Sequence, residues 1–179
     1  MGKNTMPVQK LRQGTVLDDF EVQERIGTGP HAEVYRARHV SSGDIVALKV
    51  EDPMKILQHE ASVLESFQGS QYACMFFKFV KVDSLTVSGS QCGLLAMELL
   101  GTDFSSTRKA LAFANPDGKV PLQIASKMAV QMVRAVRDFH RTTLCVHRDV
   151  VSCLFIAYFN HGLETFEFCN KKWTSQGFV

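Results

Sequence analysis

The sequence predicts an α+β fold, with an antiparallel strand-rich lobe carrying one main helix and a helical lobe after it. Three observations carry this expectation. Between Phe20 and Val50, short alternating runs are separated by turn residues. From Met54 the apolar period changes from that of a strand to that of a helix. After the turn "NPDG" at Asn115–Gly118, Leu122, Ala125, Ala129, Met132, Val136 and Phe139 make one stripe on a long helix.

The elements follow in order. Residues up to Gly14 are polar and read as a flexible tail. "FEVQERI" alternates at Phe20, Val22 and, less cleanly, Ile26. "GTGPHA" is a glycine turn, "EVYRARHV" a second strand, "SSGD" a second turn and "IVALKV" a third strand. Strand, turn, strand, turn, strand is an antiparallel meander. In "MKILQHEASVLESF", Ile56, Leu57, Val63, Leu64 and Phe67 recur at helical spacing. "CMFFKFVKV" and "GLLAMELL" are strand-like again. "STRKAL" at Ser106–Leu111 reads as a helix face. The two lobes join near Leu99–Thr102.

Composition bounds the function. A chain of 179 residues can build a real core, and 45% hydrophobic with 21% charged residues is the balance of a soluble globular domain. A formal charge of +2 gives no reason to expect nucleic acid or a membrane surface as partner. The five cysteines are odd in number and form no C-x-x-C pair, so reduced thiols are expected. The start "MGKNTMPVQKLRQG" has no apolar core of a secretory signal, and Met6 stands where a myristoylation signal needs Ser or Thr. The six histidines do not cluster at metal-ligand spacing. These features suit a cytoplasmic or nuclear location.

The chemistry concentrates in "IGTGPHAEVYRARHVSSGDIVALK". A glycine turn between strands brings backbone N–H groups close to phosphate oxygens, because glycine has no Cβ in the way. In "DIVALKV", alternation puts Ile45, Ala47 and Lys49 on one face. A lysine in phase with apolar residues needs an anion, since lysine is rarely buried unpaired. Glu60 stands one helical turn from both Ile56 and Leu64, which puts a carboxylate inside the apolar stripe. A buried charge there is costly unless paired, so Lys49 and Glu60 are expected to pair.

With these residues in place, the chain resembles a eukaryotic protein kinase of the casein kinase 1 group, and within it the tau-tubulin kinase family. The similar stretches are "IGTGPHAEVYRAR", "IVALKVE", "ILQHEASVLESFQG", "LLAMELLGTDF" and "LCVHRDV", in the family's order. The resemblance implies a small lobe over residues 15–101, after a tail over 1–14, and part of a large lobe over 102–179. It implies ATP as ligand, with Ile26, Gly27 and Gly29 at the phosphate loop and Val34 and Ala47 against adenine. Lys49 would hold the phosphates and pair with Glu60. Met97 would stand at the back of the adenine pocket, with Glu98 to Leu100 as the hinge. Asp149 would accept the proton of a serine or threonine hydroxyl on an unidentified protein substrate.

The pattern also breaks. Pro30 has no N–H to offer a phosphate, and Ala32 replaces a third glycine. In "VHRDVVSCLF", Val151 replaces a lysine and Leu154 an asparagine that would hold magnesium. An aliphatic side chain cannot ligate a hard cation. The best candidate for the metal motif is "FEFCN", where Glu167 keeps a carboxylate and Cys169 replaces glycine; a plain short strand is the alternative. Losing one preorganised transition-state contact costs about 10²–10³ in rate. ATP binding with weak or absent magnesium and impaired transfer is therefore expected. The alternative is a catalytically inactive pseudokinase, or a truncated product, that acts as an interaction module. On this reading the chain stops short of the family's substrate groove, and some of the long helix's stripe is left open.

Overall fold

A computed structural model describes residues 10–29, 32–51, 54–82, 91–101, 104–146, 155–159 and 166–170. They fall into two compact units, Met1–Glu65 with Met75–Leu99, and Ser66–Cys74 with Leu100–Val179.

The first unit is a curled antiparallel sheet with one main helix. Its strands are β1 (Val16–Leu17), β2 (Phe20–Thr28), β3 (Ala32–His39), β4 (Ile45–Glu51), β5 (Phe76–Val82) and β6 (Cys92–Glu98), in the order β1-β2-β3-β4-β6-β5. Helix α1 (Met54–Ser66) connects β4 to β5. The meander expected from Phe20 to Val50 is β2-β3-β4. Its first turn is at the glycine loop. Its second closes with Gly43 at φ 79°, where the Gly43 N–H donates to the His39 carbonyl. Glycine suits that left-handed conformation because it has no Cβ penalty. β2 and β3 slip register between Val22 and Glu24 and again between Arg25 and Gly27. These bulges break the alternation, which is why Ile26 falls out of phase and is 45% exposed.

Period-two alternation gives the sheet two faces. Val46, Leu48 and Val50 join Leu17, Phe20, Val22, Tyr35, Ala37, Cys92, Leu94 and Ala96 in one core. Ala47, Lys49 and Glu51 point the other way, opposite Met97, Leu95 and Gly93 of β6. Helix α1 lies against this second face. A Cβ built on Gly93 would come within 3.1 Å of Leu57 Cδ2, so the missing side chain lets the helix approach. Both faces of β4 are covered, and only Ile45 of that strand escapes full burial.

The stretch before β1 is tied to the sheet. The Gly14 N–H donates to the Val22 carbonyl, and the Leu11 N–H to the Tyr35 hydroxyl. Tyr35 in turn donates to Glu33, which also accepts from Arg25.

The second unit contains α2 (Phe104–Phe113), α3 (Leu122–Thr143), β7 (Phe155–Phe159) and β8 (Phe166–Asn170). The turn expected at Asn115–Gly118 is present, with the Gly118 N–H donating to the Asn115 carbonyl. Along α3 the buried residues are Met128, Ala135 and Phe139. The stripe is thus rotated from the expected one: Phe139 lies on it, but Leu122 is 77% exposed and Ala129 is exposed too. Leu122 opens the helix, where no preceding turn shelters it. The segment Ser66–Cys74 docks on α3. Phe67 meets Phe139 edge to face at 5.3 Å, Ser70 donates to Asp138, and Tyr72 donates to Gln131. β7 and β8 pair antiparallel.

Candidate functional site

The residues singled out in the first half of the sequence gather on the second face of the sheet. β4 supplies Ala47 and Lys49, and β6 supplies Met97 opposite Ala47 and Leu95 opposite Lys49. β3 adds Val34 opposite Lys49. Ala47 and Met97 are buried, and Val34 is half-buried. All three are apolar and share the sheet face of the lysine.

Lys49 and Glu60 meet as the phase argument requires. Lys49 Nζ donates to Glu60 Oε2 at 2.5 Å, and both residues are buried. The sequence reading missed a second carboxylate. Glu51 follows Lys49 on the same strand face, is buried, and brings Oε2 to 3.7 Å from Lys49 Nζ. The signal was available, because the period that puts Lys49 beside Ala47 puts Glu51 beside Lys49. Burial pushes the Glu60 carboxyl up to about 7. The Lys49 charge and hydrogen bond pull it down, and the Glu51 charge adds to the rise.

The glycine loop is a tight hairpin over its described residues. Gly27 pairs with Val34, and a Cβ there would stand 3.4 Å from the Val34 Cβ. The Gly29 N–H donates to the Ala32 carbonyl at 2.7 Å. Offering that N–H to a phosphate would require breaking this bond. At the end of β6, the Glu98 N–H donates to the Met75 carbonyl, and Glu98 Oε2 accepts from the Met75 N–H at 3.1 Å. Leu100 lies in the second unit and is half-buried.

Asp149, Val151, Leu154 and Pro30 lie outside the described residues. Glu167 falls on β8, opposite Tyr158 of β7. The stretch weighed as a metal motif therefore has the backbone of a strand. Among the described residues, no group of three or more His, Cys, Asp or Glu side chains could hold a metal ion. No helix among them is long and apolar enough to cross a membrane.

A curled antiparallel sheet of six strands with one main helix fits the small lobe of a protein kinase, and the comparisons agree. The chain is similar to a probable serine/threonine-protein kinase of Dictyostelium discoideum, 30% identical over 134 residues, or 73% of this chain and 25% of that protein. CBL-interacting serine/threonine-protein kinase 15 of Arabidopsis thaliana is 29% identical over 143 residues, 78% of this chain and 32% of that protein. Cyclin-dependent kinase F-1 of the same plant is 28% identical over 139 residues, 75% of this chain and 27% of that protein. No family model matches the chain. The matched stretch spans about a quarter to a third of these curated relatives. The chain's relatives are serine/threonine protein kinases, and they support that broad class.

Proposed function

We propose that the chain is a serine/threonine protein kinase homologue of the tau-tubulin type, whose small lobe binds ATP and whose phosphoryl transfer is impaired. The observation that carries this reading is the buried Lys49–Glu60 pair at 2.5 Å, on the same sheet face as Ala47 and Met97. A buried ammonium held by a carboxylate is oriented at low entropic cost, and that is what contact with nucleotide phosphates needs. Adenine would lie between Val34, Ala47 and Met97, with the Glu98 carbonyl at its edge. Asp149 would serve as base. Magnesium, when bound, would neutralise phosphate charge, and Glu167 is the one carboxylate proposed for it. Leu154 and Val151 can contribute neither ligand nor charge.

A second reading is an interaction module without catalysis, favoured by those same two aliphatic residues in "VHRDVVSCLF". The two separate experimentally. Thermal unfolding of the 179-residue chain is followed with ATP, with and without magnesium, beside Lys49→Met measured against its own ligand-free midpoint. ATP should raise the midpoint modestly, magnesium should add little, and the variant should not respond. Transfer to casein-like or tubulin-like substrates should not exceed that of Asp149→Asn. Absence of any ATP response would leave the interaction module standing. Robust Asp149-dependent transfer would replace both readings with an active kinase.

A further inference from the structure

The Lys49 ammonium faces two carboxylates, and only one belongs to the helix. Glu60 reaches it from α1, and Glu51 from the strand that carries the lysine itself. The two anchors differ mechanically. Glu60 holds Lys49 only while α1 stays seated on the sheet. Glu51 is two residues along β4 on the same face, so strand geometry keeps its Cα near that of Lys49 whatever the helix does. Two carboxylates on one ammonium also give the cluster a net negative charge when all three are ionised. That excess is expensive at a site where Glu51 is 1% exposed.

We propose that Glu51 is a positioning residue for Lys49, a second, helix-independent anchor that shares the ammonium with Glu60. The proposal deepens the nucleotide-site reading, and rests on it for its functional meaning. Seated, α1 brings Glu60 to Lys49 and Glu51 flanks the pair. With α1 displaced, Glu51 keeps the ammonium at the site. Sharing also weakens the hold of Lys49 on Glu60, because the second carboxylate repels the first. Burial already favours the protonated form of Glu60, and Glu51 adds to that. The other charged residues that strand register places on this face are Arg36 and Arg38 of β3, opposite Ala47 and Ile45, their partners Glu24 and Glu21 of β2, and Lys81 of β5, opposite Gly93. Lys81 is exposed, and Arg36 reaches Glu24 at 3.8 Å.

The test reads Glu60 directly. Glutamate side-chain carbons are labelled, and the Glu60 carboxyl is titrated by NMR in the full chain, in Glu51→Gln and in Glu51→Asp. Removing the neighbouring charge should lower the Glu60 midpoint by roughly one pH unit. Aspartate keeps the charge on the same strand and should restore most of the wild-type midpoint. The second arm is ATP affinity in Glu51→Gln, Glu60→Gln and the double variant. Each single variant should retain binding through the remaining carboxylate, and the double variant should lose far more than the product of the single effects. A Glu60 midpoint unmoved or raised by Glu51→Gln overturns the proposal, as does independence in the cycle. A wild-type chain that binds no ATP, with the midpoint still lowered, sinks the nucleotide reading and leaves the shared ammonium intact. Should Glu51→Gln not fold, a midpoint in Glu51→Asp indistinguishable from that in Glu51→Ala would equally refute it.

Discussion

Replacing Lys49 by Met withdraws a charge that stands 2.5 Å from one buried carboxylate and 3.7 Å from another. The methionine fits the space of the lysine stem, so the main loss is electrostatic. Breaking a buried pair by removing one partner typically costs about 3–5 kcal/mol. That cost is not uniform in pH, because Glu60 can take up a proton instead. Its folded pKa is raised, from 4.5 to about 7, so the folded state binds more protons than the unfolded one in that window. This contribution is therefore fully present below the unfolded value, and stability falls as pH rises through the folded value. Without Lys49 the folded value climbs further. The variant then goes on losing stability above the pH at which the parent stops, by about 1.4 kcal/mol per pH unit. Near pH 6, Glu60 is largely neutral in both proteins and the variant loses roughly one ordinary hydrogen bond, about 1 kcal/mol. Near pH 9 the loss should approach about 3–5 kcal/mol, with Glu51 acting in the same direction. Urea unfolding followed by circular dichroism at both pH values measures the difference. An equal loss at the two values, or a larger one at the acid end, would refute the claim that Glu60 is the group left without its cation.

Three further outcomes are expected. Gly93→Ala places a Cβ 3.1 Å from both Leu57 Cδ2 and Phe79 Cε2, and Leu57 is fully buried, so the variant should lose about 1–3 kcal/mol in the same unfolding assay despite the entropic advantage of alanine. Tyr35→Phe removes the oxygen that accepts from the Leu11 N–H and donates to Glu33; a loss of about 1–2 kcal/mol and faster hydrogen exchange at the Leu11 amide should follow. Leu144→Gly should be stabilising by up to about 1 kcal/mol, since Leu144 ends α3 at φ 56° and is 88% exposed, and its unfolding midpoint should rise.

The strand phase made much of this legible. Lys49 beside Ala47 and Ile45, and Glu60 between Ile56 and Leu64, were each anomalous on an apolar face, and two anomalies of opposite sign resolve when they meet at 2.5 Å. The same phase pointed to Glu51. It stayed unread because a glutamate near a strand end is ordinarily solvated, and sequence does not tell that α1 will cover it. The missed details in β2 have a related cause. A bulge inserts one residue without any marker in the side chains, so Ile26 read as a faint core position and emerged exposed. On α3, two adjacent apolar rows compete for the buried side. Leu122 and Ala129 belong to one row, Met128 and Ala135 to the other, and docking of Ser66–Cys74 through Phe67, Ser70 and Tyr72 brings the partners that the helix pattern alone does not contain.

The glycine loop shows where pattern and chemistry part. Its glycines leave room for phosphate, yet in the described part they sit in a hairpin. The Gly29 N–H is spent on the Ala32 carbonyl, and Gly27 packs on Val34. Neither glycine has a positive φ, and a Cβ on either would make only ordinary contacts, so this local geometry does not separate a phosphate cradle from a tight turn. The lysine face does, because a turn has no requirement for a buried ammonium two strands away. Lys49 with its two carboxylates costs the fold desolvation that an apolar trio in the same positions would avoid. A structural role alone gives no reason to retain that cost, whereas an anionic ligand approaching the ammonium does. β4 and α1, more than the glycine loop, therefore favour an anionic ligand here.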